Sequence, residues 1–455
     1  MPMGNEFVAN PEEGKRVFDL DRAHVFHSWS AQGAIKPLPV AGALGSYLWD
    51  YDGNKYLDFS SQLVNTNIGH QHPKVIKAIQ DQAEKLITIA PQHANDVRGV
   101  AAKKLTELAP DGFNHVFFTN GGADAIENAV RMARIHTKRH KILSFYRSYH
   151  GNTGTAIQMT GDPRRWPNEF AYGVIHFFGP FPYRSQFWSD SPEQETERAL
   201  NHLESVIQFE GPATIAAICI ETIVGTPGVL VPTPGYLEGL RKICDKYGIL
   251  WIADEVMAGF GRAGEWFAFN HSKARPDLIV FAKGSNSGYI PVGGVIIDQP
   301  IYETFVDRVF PGGLTYSGHP LATASIVATL DVMKEEKMVE NAREIGKNII
   351  GPALEKMKEK HSSIGDVRGM GVFWAVELVK DKKTKEPLVP YNASGKDAAP
   401  MAELGTECKK LGLMPFINMN RLHVVPPCNI TQSDAEKGLA ILDQAFAITD
   451  KYASA

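Results

Sequence analysis

ILWIADEVMAGFGRAG, residues 249–264, opens with five apolar side chains, Ile249 to Ala253, and then stops at two carboxylates, Asp254 and Glu255. A run without polar alternation suits a strand buried on both faces. A carboxylate at its end is poorly solvated and needs a cationic partner. Six further runs read the same way: HVFFT (115–119), KILSF (141–145), GVIHFF (173–178), TIAAICIE (214–221), LIVFAK (278–283) and GGVIID (293–298). Helical patterns at 73–86, 97–108 and 125–140 stand among them. Seven buried runs interleaved with helices predict an α/β fold, a mostly parallel sheet with helices on both faces.

Outward from this centre the pattern changes. Residues 1–46 read as irregular, and LWDYDGNKYLDF (48–59) reads as a hairpin turning at Asp52-Gly53. Beyond residue 330 come a long helical segment (325–360), the run VFWAVELV (372–379), a charged loop (380–390), a helix near 400–410, the run RLHVV (421–425) and a last helix over 434–452. The expected division is an N-terminal segment, 1–72, that contributes to a small α+β domain; a large ligand-binding domain, 73–330; and a C-terminal small domain, 331–455.

The chain has 455 residues, 44% hydrophobic and 22% charged, which excludes a disordered chain, a collagen and a coiled coil. Its net charge of −4 gives no electrostatic case for nucleic acid or an anionic membrane. Four widely spaced cysteines without a CxxC suit free thiols in a reducing compartment. The first residues carry no apolar signal core and no run approaches a membrane span, so the expected location is cytoplasmic. His136 and His140 lie one helical turn apart, but HTKRH is basic and lacks the HExxH pattern, so no metal is expected.

In an open α/β sheet, ligands bind outside the carboxyl ends of the strands. Three ends stand out. Asn120 to Ala123 form a Gly-Gly turn into a helix whose N-terminus suits a phosphate, and a plain strand–helix turn fits equally. Asp254 fits a ligand's cation or a structural ion pair. Lys283, at the end of LIVFAK, is costly there unless paired or used; desolvation lowers an amine's pKa, and the neutral amine makes Schiff bases. Together a phosphate cradle, a buried acid and such a lysine meet the needs of pyridoxal 5′-phosphate.

At these residues the sequence resembles the class III pyridoxal-phosphate aminotransferases, the ω-aminotransferase family. The resemblance is carried by YLWDYDGNKYLDF (47–59), SYHGNTG (148–154), ADEVMAGFGRAG (253–264), FAKGSNSGY (281–289), TYSGHP (315–320) and VRGMGVFWAVEL (367–378). It implies a fold type I enzyme with a seven-stranded sheet. It implies a homodimer or tetramer whose active sites are shared between subunits. Its substrates would be a small amine donor and a keto-acid acceptor, with no nucleic acid or membrane partner. Lys283 would form the Schiff base and shuttle the proton, and Asp254 would hold the pyridine nitrogen protonated. Val256 and Tyr149 would cover the two ring faces. Gly122 and Ala123 would give backbone N–H groups to the phosphate, Thr315 would add its hydroxyl from the partner chain, and Glu221 would stand near the cofactor.

Departures from the family pattern bear on substrate. The phosphate turn, usually SGSEA, reads GGADA (121–125), so hydroxyl donors are lost. EPVQG reads ETIVG (221–225), and Asn286 stands where Thr is usual. The mobile arginine of amine:pyruvate members falls on Phe416 here; the nearest arginine is Arg421, a candidate for the acceptor carboxylate. Trp29, Leu63, Val64 and Tyr149 are expected to wall the small pocket, with Val64 in place of a family Trp. The implied reaction is amino transfer from an amine, β-alanine, 4-aminobutyrate or taurine to an α-keto acid such as pyruvate. An aminomutase or decarboxylase of the same fold, or a non-catalytic binder of the cofactor, are the other readings.

Overall fold

The computed structural model describes residues 8–168 and 172–454. All seven apolar runs enter one sheet, in the order Phe113–Thr119, Gly293–Asp298, Leu278–Phe281, Leu250–Asp254, Ile215–Glu221, Lys141–Phe145, Val174–Phe177. Gly293–Asp298 runs antiparallel to both neighbours, and the other six strands all run in one direction. Every residue of Ile215–Glu221 is buried, which explains the lack of polar alternation. Ile218 and Ile220 enter one apolar cluster while Ala217 and Cys219 enter another, as the two-residue period of a strand covered on both faces demands. Helix Tyr236–Tyr247 packs into the first cluster through Leu237, Leu240 and Ile243. Helix Gly122–Thr137 packs into the second through Ile126, Ala129 and Ala133.

The 48–59 hairpin is present as strands Tyr47–Asp50 and Lys55–Asp58. Lys55–Asp58 also pairs in parallel with Leu413–Met414, so the two ends of the chain share a sheet. Ile364–Met370, Phe373–Asp381, Phe416–Asn418 and Arg421–Val424 form a third, antiparallel sheet.

Two expectations need correction. Residues 1–46 are not all irregular: Pro11–His24 is a helix, capped by the Asn10 side chain on the Glu13 N–H, with Pro11 in its first turn. The segment 325–360 is not one helix. It breaks at Lys337, whose φ of 51° is left-handed, between Pro320–Glu335 and Met338–Ile345. Among the described residues no helix is long and apolar enough to cross a membrane.

Candidate active site

Parallel register sets Glu221 opposite Asp254 and Asp254 opposite Val280 at the carboxyl ends of three adjacent strands. Cross-strand partners face the same side of a sheet. Lys283 follows two residues after strand Leu278–Phe281 and takes a φ of 42°, a strained position for a side chain with a Cβ. Asn286 locks the turn beyond it, donating to Ile290 O (2.6 Å) and Ser325 Oγ (2.9 Å). These strand ends surround a cavity of about 460 Å³. Lys283, Asp254, Glu221, Tyr149, Val256, Gly122 and Ala123 all line it.

The electrostatics are built from burial. Asp254 is 3% exposed; one carboxylate oxygen meets His150 Nδ1 at 2.7 Å and the other accepts the Val256 N–H at 3.1 Å. His150 Nε2 meets Ser144 Oγ at 3.0 Å. Burial alone would lower the His150 pKa, but the bond to Asp254 and the Asp254 and Glu221 charges outweigh it and raise the value. Glu221 accepts the Tyr149 and Gly225 N–H groups, each at 2.8 Å, and burial pushes its carboxyl up to about 7. Burial pulls the Lys283 amine down to about 8 against the opposing charges of Glu221 and Asp254. A lysine there is half neutral near pH 8, the condition for a nucleophile and proton carrier.

Neighbouring Glu255 does different work. It turns into the core, accepts Thr222 Oγ1 (2.6 Å) and the Ala268 and Phe269 N–H groups, and so anchors the loop that follows. The two acids of ADEV are therefore one lining acid and one structural acid.

Opposite Lys283, helix Gly122–Thr137 begins with no side-chain cap, leaving its N-terminal amides for a ligand. A Cβ on Gly122 would stand 3.1 Å from both Val256 methyls, so the turn already touches the Val256 side of the cavity. Tyr149 is braced by the Arg164 guanidinium 3.7 Å from its ring centroid, and Trp29 meets the ring edge-on at 6.4 Å. A lysine amine, a buried acid and an uncapped helix start around a cavity that Val256 and Tyr149 also line make a donor set that fits pyridoxal phosphate.

Not every expected residue lies here. Trp29 lines the cavity, but Leu63, Val64, Arg421 and Thr315 do not. Leu63 and Thr315 are exposed. The expectation that Val64 walls the pocket is corrected. Ser61, Gln62 and Val64 all have left-handed φ, and the turn carries Val64 into a core cluster with Ile223, Val229 and Val425 while Asn65 faces the cavity. Val64→Trp should therefore overpack the core and cost about 1–3 kcal/mol, read as a lower urea midpoint, rather than retune amine size. His150, Asn65 and Arg164 belong to the site or its support and are not singled out by the motifs above; His150, adjoining Tyr149 in SYHGNTG, was the available signal.

A family model described as aminotransferase class-III matches residues 30–446. A probable 4-aminobutyrate aminotransferase of Bacillus subtilis is 34% identical, over 92% of this chain and 94% of the relative. An alanine/serine racemase of Pyrococcus horikoshii is 32% identical, over 91% and 86%. Among solved structures, a taurine:2-oxoglutarate aminotransferase from Bifidobacterium kashiwanohense, in complex with pyridoxal phosphate and glutamate, superposes with a TM-score of 0.93. It is 40% identical, covering 99% of this chain and all of that one.

Proposed function

The chain belongs to the class-III aminotransferases, and from that premise we propose that its donor is a primary amine bearing no α-carboxylate and its acceptor an α-keto acid such as pyruvate. It is a pyridoxal 5′-phosphate enzyme that transfers an amino group. The observation that carries the assignment of roles is Lys283, its amine held near pH 8, facing the same cavity as the His150-bound Asp254.

When bound, pyridoxal phosphate supplies an aldehyde and an electron-withdrawing ring. Lys283 Nζ takes and returns the proton at the substrate carbon that bears nitrogen. The Asp254 carboxylate, fixed by His150 and the Val256 N–H, holds a proton at the ring nitrogen. The first amides of Gly122–Thr137 receive the phosphate through Gly122 and Ala123. Tyr149 and Val256 confine the ring, and Glu221 orders the Tyr149 backbone. Trp29 screens the cavity mouth, and Arg421 takes an acid group of donor or acceptor.

The working unit is a homodimer, with Thr315 serving the neighbouring site. Exposed apolar side chains at Leu63, Val309 and Tyr316 support such a contact. The division at residues 72 and 330 and a cytoplasmic location belong to the same reading, and four unpaired buried cysteines accord with a reducing compartment.

The test is a visible absorption spectrum of the purified protein before and after an amine and then pyruvate. The band is expected to bleach with amine and return with pyruvate. A band that ignores every amine overturns the transfer reading. The racemase relative favours one second reading, amino-acid racemisation, which would interconvert enantiomers with no keto acid present.

A further inference from the structure

The segment between helix Pro11–His24 and the first strand is built around one side chain, Gln32. Its Nε2 donates to His27 O and to Ser30 O, each at 2.8 Å, and its Oε1 accepts the His27 N–H at 2.9 Å. These bonds close residues 27–32 into a loop. Ser30 Oγ adds another, to Ser28 O at 3.1 Å. Backbone groups outside helix and sheet need such partners.

The closed loop is anchored outside itself. His27 Nε2 meets Asp21 Oδ1 at 2.6 Å, and Arg22 donates to Gln32 O, so both ends are tied to the last turn of the helix. The helix is in turn fixed to the hairpin that follows. The Asn10 N–H donates to Tyr51 O at 2.8 Å, and a Cβ on Gly14 would fall 2.7 Å from the Tyr51 Cβ.

What this frame presents is Trp29. The residue takes a φ of 53°, a conformation that a bulky side chain holds only where its surroundings impose it. It meets Tyr149 edge-on, and the Arg164 guanidinium lies 6.0 Å from its ring centroid. Arg164 is itself fixed, its Nε 3.1 and 3.0 Å from the two Asp162 carboxylate oxygens. Ser28 and Trp29 both line the cavity that holds Lys283. Yet Trp29 is 62% exposed. A large apolar ring kept in solvent by a strained backbone gains little from the fold alone. It gains contact when a substrate fills the cavity.

We infer that Gln32 is a positioning residue: its clasp on residues 27–32 holds Trp29 as a fixed wall against which the substrate packs. This deepens the transamination reading and rests on it, since the substrate is the one handled at Lys283. Gln32 does not line the cavity and acts only through Trp29. Opening the clasp therefore weakens substrate binding and leaves the proton transfer at Lys283, on a different element, as it was.

The experiment is steady-state kinetics of the holoenzyme on β-alanine, 4-aminobutyrate and taurine with pyruvate, in the native protein, Gln32→Met, Trp29→Ala and the double variant. For each donor that the native protein turns over, Gln32→Met should raise KM about tenfold, the scale of one lost apolar contact in a pocket, with kcat held within about twofold. Trp29→Ala should raise KM at least as much. The double variant should be no worse than Trp29→Ala alone, because the two changes break one chain of contacts. A merely structural Gln32 would give additive losses; additive losses, or an unchanged KM in either single variant, overturn the proposal. Digestion of the cofactor-free proteins by chymotrypsin, which cuts after aromatic residues, tests the clasp without turnover. Cleavage after Phe26 or Trp29 should run about tenfold faster in Gln32→Met than in the native protein, and equal rates refute the clasp. If Gln32→Met does not fold, Asp21→Ala, which cuts the outer tether, takes its place in both measurements with the same expected outcomes. Failure of every amine to bleach the cofactor would sink the transamination reading separately, while the digestion still decides the clasp.

Discussion

Lys283→Ala is expected to lower turnover by more than about 10⁴-fold while the protein keeps its fold and retains cofactor. Among the described residues Lys283 is the one lysine lining the cavity, and its amine is the group there able both to attack an aldehyde and to carry a proton at working pH. In the proposed assignment the phosphate and ring contacts come from other residues, so cofactor content after desalting, read by absorbance, should fall far less than activity. Native turnover in Lys283→Ala would refute every role assigned to the site. The pH dependence has a definite sign. Burial holds the amine at about 8, so its neutral fraction grows as pH rises through that value. The rate at which stripped protein takes up pyridoxal phosphate should therefore climb between about pH 7 and 9 in the native protein. In Lys283→Ala that climb should vanish.

The sheet and the centre of the site were legible for one physical reason. Strands buried on both faces cannot carry polar residues, so any charged residue at their carboxyl ends, as at Glu221, Asp254 and Lys283, stands out. What was not legible depended on backbone turns and on long-range convergence. The path of Ser61 to Val64 hangs on three left-handed residues that are not glycine, so nothing in composition marks it, and Val64 was assigned to the wrong side. Helix Pro11–His24 has only Gly14 fully buried, which erased the apolar period, although Asn10-Pro11 followed by two glutamates was a readable start. The arginines around Glu377 come from positions 147, 184, 368 and 421, and no local pattern foretells their meeting. Arg421 could be nominated by its place before Pro426-Pro427. That it lies outside the cavity lining, within the charge field of Glu377, required coordinates.

Asp254→Asn should cost about 10³-fold in kcat/KM, because in the proposed role it would remove the charge that holds a proton at the ring nitrogen while leaving the shape of the site intact. The Asn oxygen can still accept the Val256 N–H, but an amide NH₂ then faces His150 Nδ1 and forces that nitrogen to accept rather than donate. The consequence reaches stability as well as rate. In the native protein the Asp254 bond and charge raise the His150 pKa above its ordinary 6.5 despite burial. A raised histidine stabilises the fold fully below 6.5, and that contribution is lost as pH climbs through the raised value. In Asp254→Asn the charge is gone and burial governs His150, so its pKa drops below the ordinary value. Acidification must then charge a buried, unpaired imidazole. Urea unfolding of the cofactor-free proteins at about pH 6 and about pH 8 should thus show the variant's deficit to be larger at the lower pH. A deficit that is equal at both, with turnover near native, would mean that Asp254 and His150 merely fill space, and the proton at the ring nitrogen would need another keeper.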